Sequence, residues 1–455
     1  MKRVIAKDAL LGSDWVQDLE VEIGSDGRIA AIGPVSGKDG QAVDLLLPAP
    51  VNVHSHSFQR AMAGLTEARG CDASDSFWTW RTLIYQYLQH LTPEDIEAIA
   101  TQVFMEALEA GYSSIVEFHY LHHAIGGQPY DRLAELSDRI IAAAEYTGIG
   151  LTLLPVFYQY GGCDQQPLQG GQLRFKNDFD QYEKLFSQAK TSIQNSAMDY
   201  NIGIAPHSLR AASPSDIDAL TKLSGDRPFH IHVAEQVAEV EEVQAALGGR
   251  PVEWLLNNTE VDARWCLIHC TQMKPHETVA LAKSGAIAGL CPITESSLGD
   301  GIFDGVNYLA KGGAFGIGSD SNIHVSLFEE LKTFEYSQRL RDRSRAALAT
   351  SQKSTGRNLF DAALQGGADA SQRTTGKIEV GNFADLIGVG VDNEWLAGRQ
   401  NDELLNTMIF GGSGQRCLTD VWSAGRHVVQ DGVHIRKDVI KRNFINVLVK
   451  LGQAL

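Results

Sequence analysis

Eight short apolar runs recur between residues 45 and 320, and longer amphipathic stretches separate most of them. The runs are "LLLPAPVNVHSH", "SSIVEFHY", "GLTLLPVFY", "YNIGIAPHS", "PFHIHVAE", "WCLIHC", "AIAGLCPIT" and "GAFGIGSD". The spacers read as helices: "TPEDIEAIATQVFMEALEAG" opens on a Thr-Pro-Glu-Asp start signal and closes at Gly111. Such alternation predicts an α/β fold, a (β/α)8 barrel of the TIM type. A doubly wound open sheet is the competing arrangement, but no GxGxxG follows the first run.

The two ends of the chain have another texture. "LEVEIGSDGRIAAIGPV" near the start and "DVWSAGRHVVQDGVHI" near the end alternate apolar and polar residues around Gly and Asp-Gly turns. Residues 1–47 and 378–455 are therefore expected to form one small β domain with a C-terminal helix, and residues 48–377 the barrel. A net charge of −17 without a Lys/Arg cluster argues against nucleic acid or an anionic membrane as partner. It leaves room for a small anionic substrate, because local arginines outweigh the global field at contact distance. No apolar run is long enough to span a membrane, and the N-terminus lacks a signal-peptide core. The six cysteines are scattered without a CxxC, which points to reduced thiols and a cytoplasmic location. Cys266 and Cys270 in "WCLIHC" read as packing residues among apolar neighbours.

Chemistry-bearing side chains collect at the ends of the runs. His54, His56, His119, His207, His232, His269 and Asp320 fall at or just past a C-terminal end, the face on which such a barrel assembles its active site. His54 and His56 are two apart, so on a strand both imidazoles face one spot. With His232 and Asp320 they make three imidazoles and a carboxylate, a set that suits a borderline cation such as Zn2+ and leaves a position for water. Iron accepts the same donors. His230 competes with His232 for the ligand role, Asp320 in "SDSN" also reads as a turn or helix N-cap, and Glu235 also reads as a helix N-terminal glutamate.

With these residues in view, the chain resembles the amidohydrolase superfamily in "HSH" after the first run, the HxxE segment "HVAE", His269 in "LIHC" and "GSDS" after the eighth. "GKIEVGNFADLI" and "AGRHVVQDG" resemble that superfamily's small β-sandwich domain. Within the superfamily, "VNVHSHSFQRAMAGLTE", "DSFWTWR", "EFHYLHH", "APHSLRA" and "IGSDS" resemble the formimidoylglutamate deiminases of bacterial histidine degradation. The resemblance implies hydrolysis of N-formimidoyl-L-glutamate to N-formyl-L-glutamate and ammonia, with hydroxide made at the metal attacking the formimidoyl carbon. It also implies one zinc per subunit on His54, His56, His232 and Asp320, with Glu235 shuttling protons and His269 and Asp320 beside it. The fourth run offers no lysine to bridge a second metal. Homodimerisation is a further implication.

The implied substrate carries two carboxylates, and the planar fork of arginine suits them. Arg210 in "HSLRA", with His207 beside it, is the first candidate clamp, and Arg81 in "DSFWTWR" the second. Gln59 and Tyr120 are candidate hydrogen-bonding partners. Trp78, Trp80 and Arg60 have pocket and packing readings of equal standing. Two other functions compete: a deaminase of a purine or other heterocycle on the same ligand set, and a non-catalytic scaffold. Arginines for two carboxylates disfavour the first, and the complete donor set disfavours the second.

Overall fold

The computed structural model describes residues 2–67 and 77–454, without the side chains of 77–82. Four strands open the chain: β1 (Lys2–Leu11), β2 (Asp14–Ile23), β3 (Ile29–Pro34) and β4 (Gln41–Pro48). The run read from the sequence as one strand over 45–56 is in fact two. Pro48 and Pro50 cannot donate to a ladder, and the chain passes there from β4 to β5 (Val51–Ser55), in a different sheet.

From β5 the chain alternates strand and helix through β6 (Ser114–His119), β7 (Gly150–Phe157), β8 (Asn201–Ile202), β9 (Ala205–Pro206), β10 (Phe229–Val233), β11 (Trp265–His269), β12 (Ile287–Leu290) and β13 (Ala314–Ile317). All pair in parallel, and β13 returns to pair with β5. The fourth run of the sequence is two short strands because Gly203 intervenes, where a Cβ would lie 2.5 Å from the Pro228 carbonyl oxygen. His230 N–H donates to Ile204 O at 3.0 Å and His232 N–H to His207 O at 3.1 Å, which joins β9 to β10 and closes the ring. Most of the strands are buried along their whole length, as "SIVEFH" and "GLTLLPVF" are. That double-sided burial is why they read as continuous apolar runs rather than as alternation.

Helices cover the ring. Thr92 caps helix Pro93–Glu109 by accepting from Asp95 N–H, and the Asp95 side chain returns the bond. The final strands, β14 (Leu386–Val389), β15 (Leu418–Ser423), β16 (Arg426–Gln430) and β17 (Val433–His434), join β1–β4 in one continuous eight-stranded sheet. A bridge between Arg28 and Phe383 brings the β3 end of this sheet back toward β14, so it folds over its own core of Val4, Val21, Ile29, Leu46, Leu386 and Trp422. Helix Lys437–Ala454 then packs on helix Pro93–Glu109. Among the described residues, no helix is long and apolar enough to cross a membrane.

Candidate active site

The C-terminal ends of the barrel strands bring four donors together. His54 lies in β5 and His56 just past it, His232 is in β10, and Asp320 follows β13. The Nε2 atoms stand 3.2 Å apart between His54 and His56, 3.3 Å between His56 and His232, and 3.0 Å between His232 and His54. Asp320 Oδ1 lies 3.4 Å from His54 Nε2 and 3.2 Å from His56 Nε2. Donors at the vertices of a tetrahedron around zinc, each ~2.0–2.1 Å from the centre, would be roughly 3.3–3.4 Å apart.

Protonation agrees with that spacing. His56 Nδ1 sits 3.0 Å from Phe118 O, and His232 Nδ1 sits 3.0 Å from His207 O. A carbonyl oxygen only accepts, so both Nδ1 atoms carry the hydrogen, and it is Nε2 that presents the lone pair in each neutral ring. Lone pairs and a carboxylate oxygen facing one another repel unless a cation stands between them. Burial holds His54 down to about 3 and His232 well below the ordinary histidine value, with neighbouring imidazoles adding to both. Burial pushes the Asp320 carboxyl up, but contacts with His54 and His56 overturn this and hold it well below its usual range. Neutral imidazoles and an ionised carboxylate are the states a metal site requires. The donor set fits a divalent cation.

Strained backbone aims these groups. Ala234, His269, Cys270, Asp320 and Asn322 all have positive φ, between 46° and 73°, and all lie just at or beyond strand ends. Polar side chains hold those turns in place. Asn52 Oδ1 accepts from the backbone of Ser319 at 3.1 Å, and its Nδ2 donates to Ser319 Oγ at 2.7 Å. Glu239 accepts from Ala234 N–H and Glu235 N–H, each at 3.0 Å.

Beside the donors lie Glu235 and His269. His269 Nε2 is 3.8 Å from Glu235 Oε1 and 4.0 Å from Asp320 Oδ2, and its Nδ1 is 3.3 Å from Glu295 Oε1. Burial lowers the His269 imidazolium's pKa, but the Glu235, Glu295 and Asp320 carboxylates overturn this and raise it to about 10. Burial raises Glu235, His269 opposes the shift, and Asp320 and Glu239 add to it. Asp300 is pushed up to about 9, by burial first and then by Glu235. The common cause is a buried cluster richer in carboxylates than in cations, so protons reside there.

A cavity opens over these groups. It is lined by His56, His232, Asp320, Glu235 and His269 at its floor, and by Gln59, Tyr120, His207 and Arg210 of the expected substrate contacts. Gln59 Nε2 donates to Tyr120 Oη at 2.7 Å. Arg210 Nε is buried without a hydrogen-bond partner among the described residues. The side chains of Arg81, Trp78 and Trp80 lie outside the described residues. Arg60 pairs with Glu106 at 2.8 Å and donates to the carbonyls of Asn322 and Ile323, away from the cavity lining. His230, the rival of His232, bonds the Ala370 carbonyl at 2.8 Å. His119 is buried outside both the donor group and the cavity lining. Sequence reasoning missed Tyr158, whose ring lies 4.5 Å from that of His207, and Glu295 behind His269.

Comparison with known proteins follows the same outline. A model of the amidohydrolase family matches residues 45–428. A formimidoylglutamate deiminase of Pseudomonas aeruginosa is 46% identical, over 99% of this chain and 100% of that protein. A 5-methylthioadenosine/S-adenosylhomocysteine deaminase of Bacillus cereus is 24% identical over 85% of this chain and 82% of that protein. Among solved structures, an amidohydrolase from Brucella melitensis superposes with a TM-score of 0.94 at 44% identity, covering 99% of this chain and 100% of that one. An adenosine deaminase from Xanthomonas campestris with bound zinc gives a TM-score of 0.82 at 20% identity, over 99% and 98% of the two chains, a likeness of fold.

Proposed function

The chain belongs to the amidohydrolase family, and on that premise we propose that it hydrolyses N-formimidoyl-L-glutamate to N-formyl-L-glutamate and ammonia. The observation that carries this reading is the 46% identity to a formimidoylglutamate deiminase across both whole chains. The cavity supports it: an arginine whose buried Nε has no partner among the described residues suits a carboxylate-bearing substrate better than a neutral base.

His54, His56, His232 and Asp320 would hold one Zn2+ per subunit, and iron suits the same donors. A divalent cation held there would lower the pKa of water to about 7 and so supply hydroxide at neutral pH. The remaining work falls to side chains. Hydroxide addition to the formimidoyl carbon makes a tetrahedral adduct bearing two nitrogens. Ammonia leaves only after its nitrogen is protonated. Glu235, at the cavity floor, takes the proton that water loses and returns it to that nitrogen. The adduct's hydroxyl proton then passes by the same carboxylates to that nitrogen as the C–N bond breaks and the carbonyl forms, so substrate plus water becomes the formyl product plus ammonia. His269 orients the reacting group, and Asp320 shares the proton traffic with Glu235. Arg210, with His207, clamps one carboxylate. Gln59 and Tyr120 hydrogen-bond the same ligand, and Arg81 is assigned to the second carboxylate. We further assign residues 48–377 to the catalytic domain and 1–47 with 378–455 to the small domain, and place the enzyme as a cytoplasmic homodimer in histidine degradation.

The test is ammonia release from N-formimidoyl-L-glutamate by metal-replete protein, with guanine and cytosine alongside. Release from the formimidoyl compound alone, reduced about 10²- to 10⁴-fold by Glu235→Gln, is the expected result. Release from a heterocycle instead would overturn the substrate assignment while keeping the metal site.

A further inference from the structure

We propose that Glu295 is a positioning residue for His269: it fixes the imidazole so that Nε2, and not a ring carbon, faces the reaction centre. The inference rests on the hydrolytic reading above. Glu295 lies in the short helix Pro292–Leu298 after β12 and is buried behind the cavity wall. Its Oε1 is 3.3 Å from His269 Nδ1 and accepts from the Cys291 backbone N–H at 3.0 Å. The backbone bond pins the carboxylate, and the carboxylate in turn receives the ring N–H. An ionised carboxylate only accepts, so Nδ1 carries the hydrogen.

The opposite edge of the ring has no such anchor. Nε2 stands 3.8 Å from Glu235 and 4.0 Å from Asp320, both beyond hydrogen-bonding distance. The ring lies parallel to that of His232, at 9° and 5.6 Å between centroids, and a stacked neighbour does not distinguish nitrogen from carbon. Turning the imidazole over about χ2 exchanges the places of Nε2 and Cε1 and of Nδ1 and Cδ2. Only a polar partner selects between the two orientations. His269 also leaves β11 from a left-handed backbone, φ 73°, followed by Cys270 at φ 54°. Regular strand geometry does not set this side chain's direction. Glu295 supplies the missing constraint.

A purely local role is the competing account, in which Glu295 caps the Cys291 N–H and nothing more. Holoenzyme carrying Glu295→Leu or Glu295→Gln separates the two. The readouts are metal content, kcat and KM for N-formimidoyl-L-glutamate, and the 15N–1H spectrum of histidine-labelled protein. The leucine variant should lose kcat about 10- to 100-fold while KM stays within about twofold and metal content is unchanged. Its His269 Nδ1–H signal should disappear. The glutamine variant should recover kcat to within about threefold and keep the signal, because its amide oxygen accepts the same two N–H groups. Wild-type kcat in the leucine variant, or an Nδ1–H signal common to all three proteins, would overturn the proposal. Should the leucine variant fail to fold, Glu295→Asp takes its place, since the shorter arm withdraws the carboxylate from Nδ1. A wild type inactive on this substrate would refute the hydrolytic reading instead, and the imidazole spectrum would still decide the role of Glu295.

Discussion

Arg210 brings a positive charge into a cavity whose floor is built from carboxylates and imidazoles. Glu239, Glu235 and Glu242 favour that charge against the burial that opposes it, yet Nε has no hydrogen-bond partner among the described residues. A substrate carboxylate would satisfy the donor and relieve the cluster of its uncompensated proton donor. Each hydrogen bond to a charged group contributes about 1.5–3 kcal/mol, so Arg210→Ala should raise KM roughly 10- to 100-fold. Steady-state kinetics on N-formimidoyl-L-glutamate measure this, and an unchanged KM would remove Arg210 from the carboxylate site. The same scale shows what a sequence reveals. His54 and His56 were legible because a strand period of two puts them on one face, and Asp320 because it ends a run. Glu295 was not, because a glutamate in the first turn of a helix is ordinary, and its contact with His269 joins residues 26 apart on neighbouring strand ends. Tyr158 reads as the last aromatic of an apolar run, and only the closed ring turns it toward His207.

At the scale of elements, the barrel was legible in the alternation itself, while two of its strand boundaries were not. Hydropathy alone does not separate β4 from β5, since both are apolar, and the change of sheet depends on Pro48 at the end of β4 and Pro50 just past it. Gly203 breaks the fourth strand through a tertiary contact with Pro228, which no local pattern announces. Close approach also governs how helix Thr355–Ser371 lies on β13. A Cβ on Gly366 would fall 1.8 Å from the Phe315 carbonyl oxygen, which is fixed in the strand. Gly366→Ala must therefore push the helix off the barrel wall, at a cost of about 3 kcal/mol or more. The expected outcome is a lowered midpoint of thermal unfolding. Gly33→Ala serves as the control, because a Cβ there meets nothing within 4 Å. Equal midpoints for the two variants would show that the helix does not depend on this contact.

Across the whole molecule, the barrel and the terminal sheet meet through a buried ionic network at the end of the barrel opposite the active site. Arg373 bonds Asp385 at 2.7 Å on the sheet side and Asp199 at 3.0 Å on the barrel side, and Arg426 reaches the same Asp199 at 2.7 Å. Burial pushes Asp199 up, but Arg426 and Arg373 overturn this and hold it below the usual carboxylate range. A carboxylate whose pKa is depressed by folding stabilises the native state above its unfolded value, near ~3.9, and loses that contribution as pH falls through the folded value. Asp199→Asn keeps the shape and removes the charge, leaving the buried Arg373 undercompensated and the partly exposed Arg426 without its partner. Removing one partner of a buried pair costs about 3–5 kcal/mol. The variant should therefore unfold at a lower temperature than wild type by a constant margin from pH 8 down to about pH 4, and the margin should close at lower pH as the wild-type carboxyl protonates. Because the pair is buried, salt at about 1 M should leave the margin in place. Metal content and kcat of the folded variant should match wild type, since the network stands at the far end of the strands from the donors. Differential scanning calorimetry across this pH range decides the matter: a margin that shrinks with salt, or that persists below the carboxylate range, would show that the charge on Asp199 does not hold the two sheets together.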